Sequence, residues 1–296
     1  MSINTNRNRL IMQSVLGEIS EPPANLDRPY RISADGNLVV VPGTGGITYN
    51  ARIGDSAIDW ECDHVEPAVS IKSPIKPETS SANAALQILS CVGNRAKVVS
   101  GDAKGEWGRV TGTHGGIEHV MVDFSRQQMD KMAIGDKIQI LAFGQGIALS
   151  DFPGIKVMNL DPDLFDVMGI SGNLKSGRLK IGVTHTIPAA TMGSGLGKVH
   201  TYAGDYDIQM FDAPTVEQYN LKTLRFGDIV AIIGADHSFG RTYRQKSISV
   251  GVIVHSRSIV AGHGPGVTTL FTSTEGLIDP VIDSHANLKH YFEKLG

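Results

Sequence analysis

A period-two alternation of apolar and polar residues, cut at short intervals by glycine, is the feature that most constrains this chain. From Ile47, the stretch ITYNARI sets Ile47, Tyr49, Ala51 and Ile53 against Thr48, Asn50 and Arg52. Further on, Val120, Val122 and Phe124 alternate with His119, Met121 and Asp123. Such alternation puts one face of an extended strand in a core, whereas a helix needs a period of about 3.6. With 34 glycines between such segments, the pattern predicts short strands joined by tight turns. The fold class expected is mainly β.

Helices are few. SSANAALQILSCVG, from Ser80, has a serine cap and an apolar stripe at Ala85, Leu86, Leu89 and Val92. LDPDLFDVM offers Asp161 as a cap and Pro162 at the first helical position. DSHANLKHYFEKLG places Leu288, Tyr291, Phe292 and Leu295 at helical spacing and predicts a C-terminal helix that docks. Two segments, AIGDKIQILAFGQG and RFGDIVAIIGADHSFG, share a Gly-Asp turn running into an apolar strand, and RIGDSAIDW shares the turn alone. Aspartate can bond its own turn there. The echo supports two β-rich domains, residues 1–150 and 151–296, with the connector ALSDFPG near Ser150. The first is expected to contain a small SH3/KOW-like barrel. The second is expected to be β-sandwich or barrel-like, closed by the terminal helix.

Composition narrows the function classes. With 296 residues, 41% hydrophobic and 19% charged, the chain buries a large core, and fibre and disorder are excluded. A net charge of −3 argues against nucleic acid as a partner, because phosphate contacts need a basic face. The segment KVVSGDAKGEWGRVTGTHGGIEHVMVDF resembles the KOW motif of ribosomal and transcription-elongation proteins, at Val98, Gly101, Lys104, Gly105, Gly108 and Val110. Its acids (Asp102, Glu106, Glu118, Asp123) outnumber its bases (Lys97, Lys104, Arg109), so the resemblance implies the barrel more than RNA binding. Cys62 and Cys91 are too few for a disulfide framework or a thiolate zinc cage and suggest a reducing compartment. No apolar run approaches the ~20 residues of a membrane span. The N-terminal patch lacks a signal-peptide cleavage site. A cytoplasmic protein with a small-molecule ligand is expected, and β-modules with exposed edges suggest a homo-oligomer.

Several catalytic signatures are absent: H-E-x-x-H, G-x-S-x-G, the P-loop, and the second half of a zinc-deaminase motif after His64-x-Glu66. What remains is histidine and carboxylate at strand ends and in glycine-rich turns. On ISVGVIVH, Ile248, Val250, Val252 and Val254 form one face; Ser249, Gly251, Ile253 and His255 form the other, which suits a cavity wall. GHGPG then holds His263 between Gly262, Gly264 and Gly266, where permissive backbone lets a ligand approach and free N–H groups can form an anion-binding nest. GADHSFGRTYRQ contributes Asp236, His237 and Arg241, and GDYDIQ sets Asp205, Asp207 and Gln209 on one side of a strand. LKIGVTHTI places His185 on an apolar face with Leu179, Ile181, Val183 and Ile187. In the first half, His64, Glu66 and His114 form a second cluster in DHVEPAVS and TGTHGG.

Together DHVEPAVS, CVGNRAKVVSGDAKGEWGRVTGTHGG and GVIVHSRSIVAGHGPGVTTL resemble the domain-of-unknown-function family 4438 along nearly the whole chain. The resemblance implies a mainly β, multi-module fold and brings no established reaction. The family pattern often carries glycine where this chain has Ala68. Gly-Asp turns and TIPAATMGSGLG are also similar to acetamidase/formamidase proteins, from which no catalytic residue is carried over.

The function expected from these residues is a metal-assisted hydrolase of a small polar, amide-type substrate. His255, His263 and Asp236 are its expected catalytic groups and, with His185, the ligands of a divalent metal such as zinc. His237 and Arg241 orient an anionic substrate, and Gly262, Gly264, Gly266, His64, Glu66 and His114 complete the binding surface. The alternatives are a non-catalytic β protein that binds a small molecule or anion in the same turns, and a ribosome- or RNA-associated KOW-like protein.

Overall fold

A computed structural model describes residues 3–22, 30–75 and 81–296. The first half is built on six strands: β1 (Gln13–Ile19), β2 (Ala68–Lys72), β3 (Arg95–Val98), β4 (Trp107–His114), β5 (His119–Asp123) and β6 (Lys137–Ala142). They pair antiparallel in the order β1-β6-β3-β4-β5-β2, and β2 returns to β1 through Glu18–Lys72 and Ile19–Ile71. The sheet is thus a closed barrel, and closure leaves no unpaired edge among these strands. Its core alternates along the strands as the sequence predicts, with Ile138, Ile140, Val120, Val122, Val69 and Ile71 pointing in. The KOW-like segment supplies β4, β5 and part of β3.

The second half contains β7 (Arg178–Val183), β8 (His185–Pro188), β9 (Tyr206–Asp207), β10 (Ile229–Asp236), β11 (Thr242–Ile253), β12 (Gly266–Ser273) and β13 (Ile278–Ile282). One sheet runs β8-β10-β11-β12, with β9 and the short strand Lys156–Val157 also pairing with β12. β7 and β13 pair parallel in a smaller sheet. Helices cover Ser81–Leu89, Pro162–Val167 and Leu288–Leu295, in the three segments where the sequence predicts them. Asp161 caps the second, its side chain accepting from Asp163 N, and Asn287 caps the third through Lys289 N. The serine expected at Ser80 lies outside the described residues. Among the described residues no helix is long and apolar enough to cross a membrane.

Two strand expectations change. ITYNARI is extended only over Ile47–Thr48, because a turn at Tyr49–Asn50 follows at once and the Gly-Asp turn comes soon after at Gly54-Asp55. LKIGVTHTI is divided between β7 and β8, which lie in different sheets; Thr184 between them donates its N–H to Ile229 O. The three Gly-Asp turns are one device repeated. Asp55, Asp136 and Asp228 each accept the N–H of the residue three positions back (Arg52, Ala133, Arg225) at 2.9 Å. In two of them, an apolar strand then starts beside a turn already satisfied in hydrogen bonds.

The halves meet along β5 and the end of β4. On β5, Val120 and Val122 fill the barrel while Met121, on the opposite face, joins the core of the second half with Val250, Val252 and Leu270. Beside it, Thr113 N donates to Thr268 Oγ1 at 3.1 Å, and that hydroxyl donates to Thr113 O at 3.0 Å. Gly112 makes this approach feasible, since a Cβ there would lie 2.2 Å from Val254 Cγ1. Gly112→Ala is therefore expected to destabilise the protein by about 1–3 kcal/mol through overpacking. Urea unfolding monitored by circular dichroism measures it, and an unchanged midpoint would contradict this docking geometry.

Candidate metal centre

The docking carries His114, at the end of β4, against His255, two residues beyond β11. Their rings stack with centroids 4.1 Å apart. Around them gather His64, Asp205, Asp207 and His263. His64 comes from a turn stitched to the second half: Val65 N donates to Ser256 Oγ at 2.8 Å, and His64 N to Arg257 O at 3.2 Å. Asp205 and Asp207 flank Tyr206, so the alternation of β9 turns both carboxylates to one side. β9 in turn pairs Asp207 with Gly266 of β12.

Two groups of three result. His114, Asp205 and His255 offer donor atoms within 4.8 Å of one another, and so do His64, Asp207 and His263. All but His263 are buried. In the inner group, His255 Nε2 and Asp205 Oδ2 form an ion-pair contact of 2.7 Å that is poorly aligned for a hydrogen bond, and neither atom has another hydrogen-bond partner. Buried polar atoms without a well-aligned hydrogen bond are rare, and a cation seated beside this pair would coordinate both once they part slightly. Gly266 keeps the space open: a Cβ there would lie 1.9 Å from Asp205 Oδ2 and 2.2 Å from His255 Nε2.

The rings are held from behind. His255 Nδ1 faces the carbonyl of Ser256 at 2.9 Å, His114 Nδ1 faces Glu66 Oε1 at 2.7 Å, and His64 Nδ1 faces Asp63 Oδ1 at 3.0 Å. Each imidazole therefore spends one nitrogen on an orienting partner and presents the other to the cluster, the arrangement that fixes metal-ligating histidines. Glu66 is wholly buried and accepts from Gly45 N, Ser70 Oγ, His114 and His119. Burial opposes its ionisation, but His119 and His114 outweigh burial and hold its pKa well below the ordinary value. Asp63, bonded by His64 and Ser258 and paired with Arg31 at 2.6 Å, is likewise lowered against burial.

The glycine-rich turn divides its tasks. Gly262 has φ +77°, a left-handed backbone that glycine adopts freely. Gly264 donates its N–H to Asp207 Oδ2 at 3.1 Å, so the anion met by the expected nest is the protein's own carboxylate. Gly266 opens the space just described.

The other expected residues separate. Arg241 lines the cleft above the cluster, a cavity of about 600 Å³ also walled by Gly115, Gly116, Glu118, Lys198 and His200. Asp236 is outside both groups. It accepts from Ser238 N and pairs with Arg244 at 3.2 Å, so it closes its own turn. His237 is fully buried with Nδ1 on Thr269 Oγ1, and burial together with Arg241 pushes its pKa down to about 3, so it stays neutral. His185 sits between the hydroxyls of Thr184 and Thr223, away from the cluster, and burial lowers its pKa. The carboxylate assigned to Asp236 from sequence is supplied instead by Asp205 and Asp207. His119 and Asp63 are further members that the sequence reading passes over. For His119 the signal is the hairpin HGGIEH, whose register sets His114 opposite His119.

A closed barrel joined to a second β half, with a histidine–aspartate cluster at their seam, defines a two-part mainly β protein. The chain belongs to the DUF4438 family: the description "Domain of unknown function (DUF4438), N-terminal" matches residues 30–166, and its C-terminal counterpart matches residues 168–292. It is also similar to a solved structure described as "Crystal structure of TM1086", with 44% sequence identity over 98% of this chain and 99% of that one, at a TM-score of 0.92. No curated protein matches it. These comparisons do not show the acetamidase/formamidase likeness. Ala68 has φ +57°, so this chain keeps an alanine in a glycine-favouring conformation.

Without a bound ion the inner group must balance its charge by protonation. Burial disfavours the His255 imidazolium, but Asp205 and Asp207 outweigh burial and raise its pKa well above 6.5. A raised imidazole pKa contributes stability that is full below 6.5 and is lost as pH rises through the folded-state value. Chelator-treated protein is thus expected to unfold at lower temperature as pH rises from 6.5 into the alkaline range. Added zinc should abolish or reverse that trend, because protons compete with a metal for these donors. Thermal melts across pH with and without zinc test this, and identical profiles would contradict it.

Proposed function

We propose that this chain is a metal-assisted hydrolase acting on a small polar molecule with an amide-type C–N bond. The observation that carries the reading is the convergence of His255 Nε2, Asp205 Oδ2 and His114, buried beneath an open cleft, with the first two in contact but poorly aligned for a hydrogen bond. Two imidazoles and a carboxylate are a donor set for a divalent ion such as zinc, with a position left for water or substrate. When bound, such an ion polarises a carbonyl oxygen and lowers the pKa of a coordinated water to ~7.

The chain's own residues do the rest. Glu66 and the Ser256 carbonyl hold His114 and His255 in the tautomers that leave Nε2 free. Asp205 is fixed by Gly115, whose N–H donates to Oδ1 at 2.8 Å, so Oδ2 remains for the ion. Arg241 and Lys198 in the cleft wall favour a substrate with an anionic end and orient it toward the cluster. The cleft accepts a small molecule, whereas a folded macromolecule could not reach the buried donors. Cys62 and Cys91, both buried free thiols, agree with a reducing compartment, and we place the protein in the cytoplasm.

Hydrolysis of a panel of small carboxylated amides is expected to vanish on chelation and to return with zinc. His255→Ala should lower turnover by at least ~100-fold, given that the ion would supply several kcal/mol of transition-state stabilisation. Gly266→Ala should act similarly while removing no donor, because the added Cβ must push Asp205 Oδ2 and His255 Nε2 aside. Full turnover after chelation and in both folded variants would refute the reading. Thermal stabilisation by a ligand with no turnover would favour the non-catalytic binding alternative.

A further inference from the structure

We infer that the outer group, His64, Asp207 and His263, is a second cation site, so that the centre takes a pair of divalent ions bridged by the Asp207 carboxylate. This rests on the reading of His114, Asp205 and His255 as the inner ion's ligands. The outer group has its own geometry. His64 Nδ1 lies 3.0 Å from Asp63 Oδ1, a contact that orients the ring and leaves Nε2 facing the cluster. That Nε2 lies 3.0 Å from His263 Nδ1 and 3.4 Å from Asp207 Oδ2, while His263 Nδ1 lies 3.1 Å from the same oxygen. Two ring nitrogens and a carboxylate oxygen therefore meet within 3.4 Å of one another. One proton can bridge only one of the three contacts, whereas a cation satisfies all of them.

Two further observations point the same way. Asp207 presents its other oxygen, Oδ1, 3.6 Å from His255 Nε2, the unpartnered donor of the inner group. The carboxylate thus faces both groups at once, as a bridging ligand does in a paired centre. His64 holds φ +57°, a left-handed backbone that a non-glycine residue keeps only where its surroundings impose it. That backbone aims its ring between Asp63 and Asp207.

Access distinguishes the two positions. The inner donors are more deeply buried, while the His263 side chain is 34% exposed and lines the cleft. The outer ion should load second and exchange faster. A borderline cation such as zinc fits two imidazoles and one carboxylate.

The test is elemental analysis of tag-free protein, stripped with chelator, reloaded with excess zinc and freed of unbound metal by gel filtration. Two zinc ions per chain in the natural protein, falling to one in His263→Gln with an unchanged circular dichroism spectrum, is the expected result. His114→Gln, made alongside, should lose the inner ion. One zinc in both natural protein and His263→Gln would overturn the second site and leave the single-ion reading standing. Two in both would place the second ion elsewhere and overturn it equally. No zinc in any of them would overturn both readings.

Discussion

Four carboxylates, Asp63, Glu66, Asp205 and Asp207, lie buried in one cluster, and the rest of the molecule is arranged to make that tolerable. A carboxylate removed from water without a partner costs several kcal/mol, and several together also repel one another. Here each faces an imidazole and accepts a hydrogen bond, Asp63 from Ser258, Glu66 from His114 and His119, Asp205 from Gly115 N and Asp207 from Gly264 N. The partners come from both halves. His114 of the barrel stacks on His255 of the second half, and His64 reaches Asp207 across the seam. Neither half on its own would hold this charge balance, which makes their docking part of the site.

The barrel provides the rigidity this docking needs. Its closure fixes β4 and β5, and the hairpin between them delivers His114 and His119 to the same buried Glu66. From the other side, β9 lies along β12, and its alternation aims two carboxylates at the seam while Tyr206 points into the hydrophobic core. Close backbone approach is required where the pieces meet, and glycines stand there: Gly112 against Val254, Gly264 against Ile208, and Gly266 against the donor atoms themselves.

Much of this is legible in the sequence, because much of it is local. Period-two alternation predicts β5, the Gly-Asp turns predict where β6 and β10 begin, the cap at Asp161 places one helix, and the apolar spacing from Leu288 places another. His255, His263, His64, His114 and Glu66 stand out because titratable groups at strand ends beside glycine are unusual in a plain turn. The choice of carboxylate is not local. Asp236 adjoins His237 in sequence and looks like the better partner, yet its oxygens are taken by Ser238 and Arg244. Asp205 and Asp207 enter the cluster only through the pairing of β9 with β12, across some sixty residues. Alternation showed that they share a side but could not show which side. The same holds for His185, which shares the pattern of an apolar strand until Thr184 divides that strand between two sheets.

The proposal that the seam is a metal centre is tested most directly by anomalous diffraction from crystals of protein loaded with zinc, recorded on both sides of the zinc absorption edge. The account predicts an anomalous peak bounded by His114, Asp205 and His255, within about 2.0–2.2 Å of an oxygen or nitrogen from each. A map with zinc only at surface side chains, and His255 still packed against Asp205 with nothing between them, would contradict it.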